Sequence, residues 1–249
     1  MARITKDKAA KTLELINQLL AKAENTPYPA EAQAFQEHAE RLMVRYGIEK
    51  AQLDDAAGKA GKEREAIVER QYVVSGVYRA GLVRGFTAVA HAFNAIEIME
   101  STWRERTTLY LIGAESDVTK IIRLFDSLLV QIQPAMAEWW KNTPERSWMT
   151  RPEKEAERRQ FQMSFLYEVS SRLLAIYGEE STGQELVLAD RKSRASEKAY
   201  ELYPNAKQKR QARLQGGSYA AGRAGRAAGR NADVGTGKMG AASREAVNA

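Results

Sequence analysis

Three arginines, Arg223, Arg226 and Arg230, recur at intervals of three and four residues within a run of glycine and alanine. On a helix they share one face, and three guanidinium groups on one face are suited to holding phosphates. The same run carries Tyr219, Gly222, Gly225 and Gly229. Three readings of it are open. Gly225 and Gly229, four apart, let a helix press closely against another element. A flexible Gly-Arg arm binds phosphates without sequence preference. The glycines bring backbone amides up to a bound anion or nucleotide. Packing explains the small residues best and phosphate binding explains the arginines, and the two are compatible.

The charge of the chain agrees with the second reading. The formal net charge is +6 over 249 residues, yet residues 190–249 hold 13 Lys and Arg against 5 Asp and Glu, and the rest is close to neutral. Arg191, Lys192, Arg194, Lys207, Lys209, Arg210 and Arg213 therefore join Arg223, Arg226 and Arg230 as candidate phosphate contacts. A local basic excess marks a polyanion-binding arm. The partner it implies is DNA or RNA, bound without sequence preference, since no base-reading element is evident.

Other chemistry is thinly represented. There is no cysteine, so disulfides, thiolate metal sites and a cysteine nucleophile are excluded. His38 and His91 lack any local ligand spacing, and no metal or cofactor is expected. Gly113-x-Glu115-Ser116-Asp117 after an apolar strand has the outline of a phosphate turn. It carries one glycine and two acids, so a helix cap with its dipole partners is the better reading. Trp139, Trp140 and Trp148 lie among basic residues, where closing a core edge outweighs base stacking. Glu153, Glu155 and Glu157, with Arg158, Arg159 and Arg172, read as a solvated helix face. No apolar run reaches membrane-spanning length, and the start of the chain has no signal-peptide pattern, so the expected location is cytoplasmic with no membrane partner.

The elements that must position these residues begin with two helices. Leu13, Ile16, Leu19, Leu20 and Ala23 form one apolar face; Ala32, Phe35, Ala39, Leu42, Met43 and Tyr46 form another. Pro27 and Pro29 break the chain between them, and Gly47-Ile48 reads as a helix stop. The expectation is a helical hairpin domain over 1–54 and a polar linker over 55–66. An α+β domain over 67–232 follows, including the basic Gly/Ala/Arg-rich C-terminal segment, then a flexible tail over 233–249. Within the third part, strands at Ile67–Val74, Ala95–Met99 and Thr107–Ile112 alternate with helices at Ala80–Phe93, from Glu115 to about Trp140, and from Pro152 to Gly178. A short strand at Leu186–Leu188 and a helix from Asp190 follow. The fold class is α+β: a small antiparallel sheet packed with long helices on one face.

Two stretches carry a resemblance. Leu19-Leu20-x-Lys22-Ala23-Glu24-x-Thr26, Pro29-x-Glu31-Ala32 and Ala39-x-x-Leu42-Met43-x-x-Tyr46-Gly47-Ile48 resemble a small helical domain of unknown function over residues 9–50, common in bacterial, phage and mobile-element proteins. Thr108–Val118, Leu124 to Leu129, and Tyr219, Gly222 and Ala228-Gly229 resemble a second uncharacterised domain that commonly follows the first. The resemblance implies a phage or mobile-element accessory protein and supplies no activity. Three functions remain open. The leading one is nucleic-acid association through the basic C-terminal segment. The second is an enzyme with its site between the middle domain and Tyr219–Gly229, which would need a nucleophile–base pair not evident here. The third is an assembly role, with the helical hairpin docking a protein partner.

Overall fold

The structure is a computed structural model describing residues 11–207 and 217–234, apart from 13, 17, 20, 24, 95 and 184. The described residues between 11 and 25 are helical (α1). Ile16 and Leu19 of this stretch pack on Ala39, with Phe35, Leu42 and Met43 closing the cluster. These neighbours lie on α2 (Pro29–Lys59), which has Pro29 in its first turn and Glu31 at its positive end. The stop expected at Gly47 is not there. The helix continues to Lys59, and the glycine serves a close approach from another helix, described below. Val44 and Ile48 of α2 belong to the same apolar core as the sheet and the long helices.

The sheet has the order β1-β3-β2, all antiparallel, with β1 at Ile67–Ser75, β2 at Ile96–Trp103 and β3 at Arg106–Ala114. Alternation assigns its two faces. Tyr72 and Val74, Leu109 and Leu111, and Ile96 and Ile98 face the core shared with α3 (Arg79–Ala92) and α4 (Glu115–Lys141). There Tyr72, Phe86 and Phe125 meet ring to ring, with centroids 4.4 to 5.7 Å apart. Pro134 sits inside α4 on its exposed side, where water can take up the freed carbonyl.

The opposite face is also covered, which corrects the expectation of helices on one side only. The helix α6 (Glu185–Leu202) lies across all three strands, following α5 (Arg151–Glu180) in the chain. The Lys192 ammonium donates to the Ile96 carbonyl at 2.6 Å, and the Tyr203 hydroxyl just beyond α6 donates to Glu69 at 2.7 Å. The short strand expected at Leu186–Leu188 is instead the first turn of α6. Leu188, Arg191 and Ala195 are buried at helical spacing, and that burial decides the local conformation.

The last element is α7 (Tyr219–Arg230), seated on α5. Gly225 and Gly229 are where the two backbones meet. A Cβ added at Gly225 would lie 2.3 Å from the Phe161 carbonyl oxygen, and one at Gly229 would lie 2.5 Å from that of Phe165. Asp233 and Val234, placed in the tail on sequence grounds, are buried. The remainder of that tail, 235–249, lies outside the described residues.

The glycine contact makes a signed prediction. Alanine is the better helix former by about 1 kcal/mol, so on propensity alone Gly225→Ala would stabilise the protein. Contact with the Phe161 carbonyl should reverse that sign and cost about 1–3 kcal/mol net. The urea midpoint measures it, and a midpoint that rises would show that α7 is not seated as described.

Candidate nucleic-acid interface

Each end of α7 is fixed by a side chain of α5. At the start, the Glu157 carboxylate accepts from the Ser218 amide and hydroxyl, both at 2.7 Å, and the Ser218 hydroxyl oxygen accepts from the Ala221 amide at 3.0 Å. At the finish, the Arg172 guanidinium donates to the carbonyls of Gly229 and Ala232 at 2.9 and 3.0 Å. The helices run parallel, so an acid meets the positive end of α7 and a cation its negative end. Glu157 and Arg172 therefore do not belong to a solvated face. Glu157 is buried, and Arg172 is largely so.

With one face of α7 committed to α5, the arginines fall on the other. Arg223 and Arg230 are exposed and Arg226 is half-buried, and none forms an ion pair among the described residues. Arg226 lies 5.8 Å over the ring of Tyr219, which is itself 79% exposed. The third reading of the glycines does not survive this geometry. The amides inside α7 are spent on helical bonds. The space beside Gly225 and Gly229 is filled by α5, while Gly222 faces the Gln160 amide and the Ser164 hydroxyl. No room is left at Gly225 or Gly229 for an anion.

The basic residues of α6 have a different fate. Arg191 is 1% exposed and lies between two carboxylates, Glu65 and Asp117. It cannot reach a phosphate, and its assignment as a contact is corrected. Arg194 pairs with Asp54 at 2.6 Å and donates to the Glu65 carbonyl at 2.7 Å. Lys192 pairs with Glu97 at 3.1 Å. Both are taken up in holding α6 to the rest of the chain. Lys207 is exposed, and Lys209, Arg210 and Arg213 lie outside the described residues.

The same cluster explains the start of α4. Its cap is not Ser116 or the two acids beside it. The Glu65 carboxylate, from the segment between α2 and β1, accepts from the Ser116 amide at 2.7 Å while its other oxygen meets Arg191. The Ser116 hydroxyl is buried without a hydrogen-bond partner. Trp139 stacks on Phe161 at 5.0 Å and the Arg158 guanidinium lies 4.6 Å over Trp140, so these two tryptophans are used in packing.

A second buried charge joins the first helices to this frame. Glu40 of α2 is 1% exposed and one of its oxygens meets Arg172. Burial pushes its carboxyl up to about 7; Arg172 offsets only part of this, and the neighbouring Asp233 adds to it. Its second oxygen has no partner, which suits a protonated acid.

Residues 11–50 match the family described as Protein of unknown function (DUF2786). The match covers α1 and α2 as far as Lys50, and so includes Glu40. No curated protein and no solved structure matches the chain. Among the described residues no helix is long and apolar enough to cross a membrane, and no group of three His, Asp or Glu side chains is placed to hold a metal ion.

Two outcomes follow from the buried charges. Arg191→Met leaves Glu65 and Asp117 facing each other without their cation and should cost about 3–5 kcal/mol in urea unfolding; a loss below 1 kcal/mol would deny Arg191 its central place. For Glu40, the folded state holds more proton than the unfolded state between pH 4.5 and about 7. Stability should therefore fall as pH rises through that window, by at most about 3.5 kcal/mol at ~1.4 kcal/mol per unit. Glu40→Gln should flatten this slope relative to the unaltered chain, and parallel curves for the two proteins would contradict the assignment.

Proposed function

We propose that the protein associates with nucleic acid through the outward face of α7. The observation that carries this reading is the contrast between two sets of basic residues. Those of α6 are consumed by Glu65, Asp117, Asp54 and Glu97, whereas Arg223, Arg226 and Arg230 are left without an acidic partner among the described residues. Seven residues of helix span about 10 Å, the reach of about three phosphates along one strand. The helix is anchored at both ends, so the arginines are presented on a fixed scaffold and little ordering is left to binding. Tyr219 beside Arg226 adds an exposed ring on which a base can stack. The binding is independent of sequence, because contacts of this kind go to the backbone. The accessory role in a phage or mobile element, implied by the sequence resemblance, belongs to the same proposal.

The test is the triple variant Arg223→Gln, Arg226→Gln, Arg230→Gln. It leaves Gly225, Gly229 and the two anchoring side chains Glu157 and Arg172 untouched, so the melting temperature should hold. Binding to DNA or RNA should weaken on every sequence, and the slope of log affinity against log salt should become shallower by about 2–3. No binding by the unaltered chain at low salt, or an unchanged slope in the variant, would defeat the proposal.

A further inference from the structure

A second site lies away from α7. A cavity of about 360 Å³ opens between α2 and the first turns of α4. Tyr46, Gly47 and Lys50 line it from α2, and Ser116, Lys120 and Arg123 line it from α4. Each trio follows helical spacing, so two stripes face each other across the space. Pockets of this size accept small molecules rather than polymers.

The cavity wall carries three acids and three cations, and ion pairs from the acids to Arg191 and Arg70 outside the wall leave positive charge in excess. Of the three acids on its wall, Glu65 and Asp117 are held by Arg191 and Glu115 by Arg70 at 3.1 Å. Lys120 sits deeper, 3.4 Å from the Tyr177 hydroxyl and 3.5 Å from Asp117. Burial alone would lower its ammonium, but Tyr177 and Asp117 outweigh it and keep the group above its ordinary range. Lys50 and Arg123 form no ion pair among the described residues. Lys120 is paired with Asp117, so Lys50 and Arg123 are the two wall cations without an acidic partner among the described residues. The Ser116 hydroxyl, buried and without a partner, lines the same space. The Ser116 amide is not the seat of an anion, because Glu65 already occupies it.

Gly47 has its explanation here. A Cβ at this position would fall 2.7 Å from the Lys120 ammonium nitrogen. The glycine keeps α2 open for Lys120 in the middle of a helix, at some cost in helix propensity. Ile16, Met43 and Tyr46 supply the apolar part of the wall.

We propose that this cavity binds a small organic phosphate of mononucleotide size. Its phosphate is held by Lys50, Lys120 and Arg123, and its ring or apolar portion rests against Tyr46 and Met43. The site is independent of the α7 reading and shares no residue with it.

Calorimetric titration of the full chain with AMP tests the proposal, with adenosine as the arm that lacks phosphate. AMP should bind saturably, and adenosine about tenfold or more weaker. The double variant Lys50→Gln, Arg123→Gln breaks no ion pair among the described residues and should keep its melting temperature while losing AMP affinity by about tenfold or more. The α7 triple variant should bind AMP as the unaltered chain does, so that failure at one site is distinguishable from failure at the other. Absence of AMP binding, equal affinity for adenosine, or unchanged affinity in the double variant would each overturn the proposal.

Discussion

The seating of α7 on α5 is the constraint on which the arrangement depends. Two helical backbones meet at Gly225 and Gly229 because any side chain there would strike the carbonyls of Phe161 and Phe165. Close approach alone does not fix how far one helix slides along the other. The ends do that. Glu157 takes the first turn of α7 and Arg172 takes its last carbonyls, and fifteen residues of α5 separate the two by about 22 Å. The twelve residues of α7 fit between these posts with one capping residue before them and a short extension after. Once position and register are set, the side of α7 that meets solvent is set too, and with it the placement of Arg223, Arg226 and Arg230.

Buried ion pairs hold the other elements together at single points where several chains of contact meet. Arg191 brings α6, the start of α4 and the segment before β1 to one guanidinium. Its removal would leave Glu65 without its cation, and Glu65 is also the cap of α4, so damage to one pair would spread to a helix end. Buried pairs of this kind return little net stability compared with apolar packing, because desolvation consumes most of the attraction. What they supply here is a shared contact, with Arg191 of α6 placed between Glu65 and Asp117.

Much of the fold was legible because burial leaves a periodic trace. The strands at 67–75 and 106–114 and the helices at 79–92, 115–141 and 151–180 follow apolar residues at spacings of two or of three and four. The close-packing role of Gly225 and Gly229 was legible for the same reason, small residues four apart. The errors share a cause as well. Gly47 looks like a helix stop and Leu186-Val187-Leu188 like a strand when judged by neighbours in sequence, whereas burial of Val44, Ile48 and Ala51 carries α2 past the one and packing on the sheet settles the other. Arg191 was counted as surface charge because a sum over residues cannot tell a guanidinium facing water from one enclosed by Glu65 and Asp117. Glu157 and Arg172 were hidden in an alternating charged stretch that reads as solvated until α7 and α2 are laid against it.

Arg172 links the segment that matches the family of unknown function to the basic helix. Its guanidinium is shared between the Glu40 carboxylate of α2 and the carbonyls of Gly229 in α7 and Ala232 just beyond it. The Glu40 carboxylate accepts from Nη2 of Arg172 while the two carbonyls accept from Nη1, so one guanidinium serves both helices through separate nitrogens. Burial pushes Glu40 toward the protonated form up to about pH 7, so around neutrality the pair stands near balance. The cost of burying that carboxylate is carried by the whole contact between α2, α5 and α7 rather than by either helix alone. Val44 on α2, Leu173 on α5 and Val234 beyond α7 line the small space beside Glu40, and these apolar neighbours favour its protonated form. The first helices and the last are thus locked to each other through one arginine of the helix that separates them.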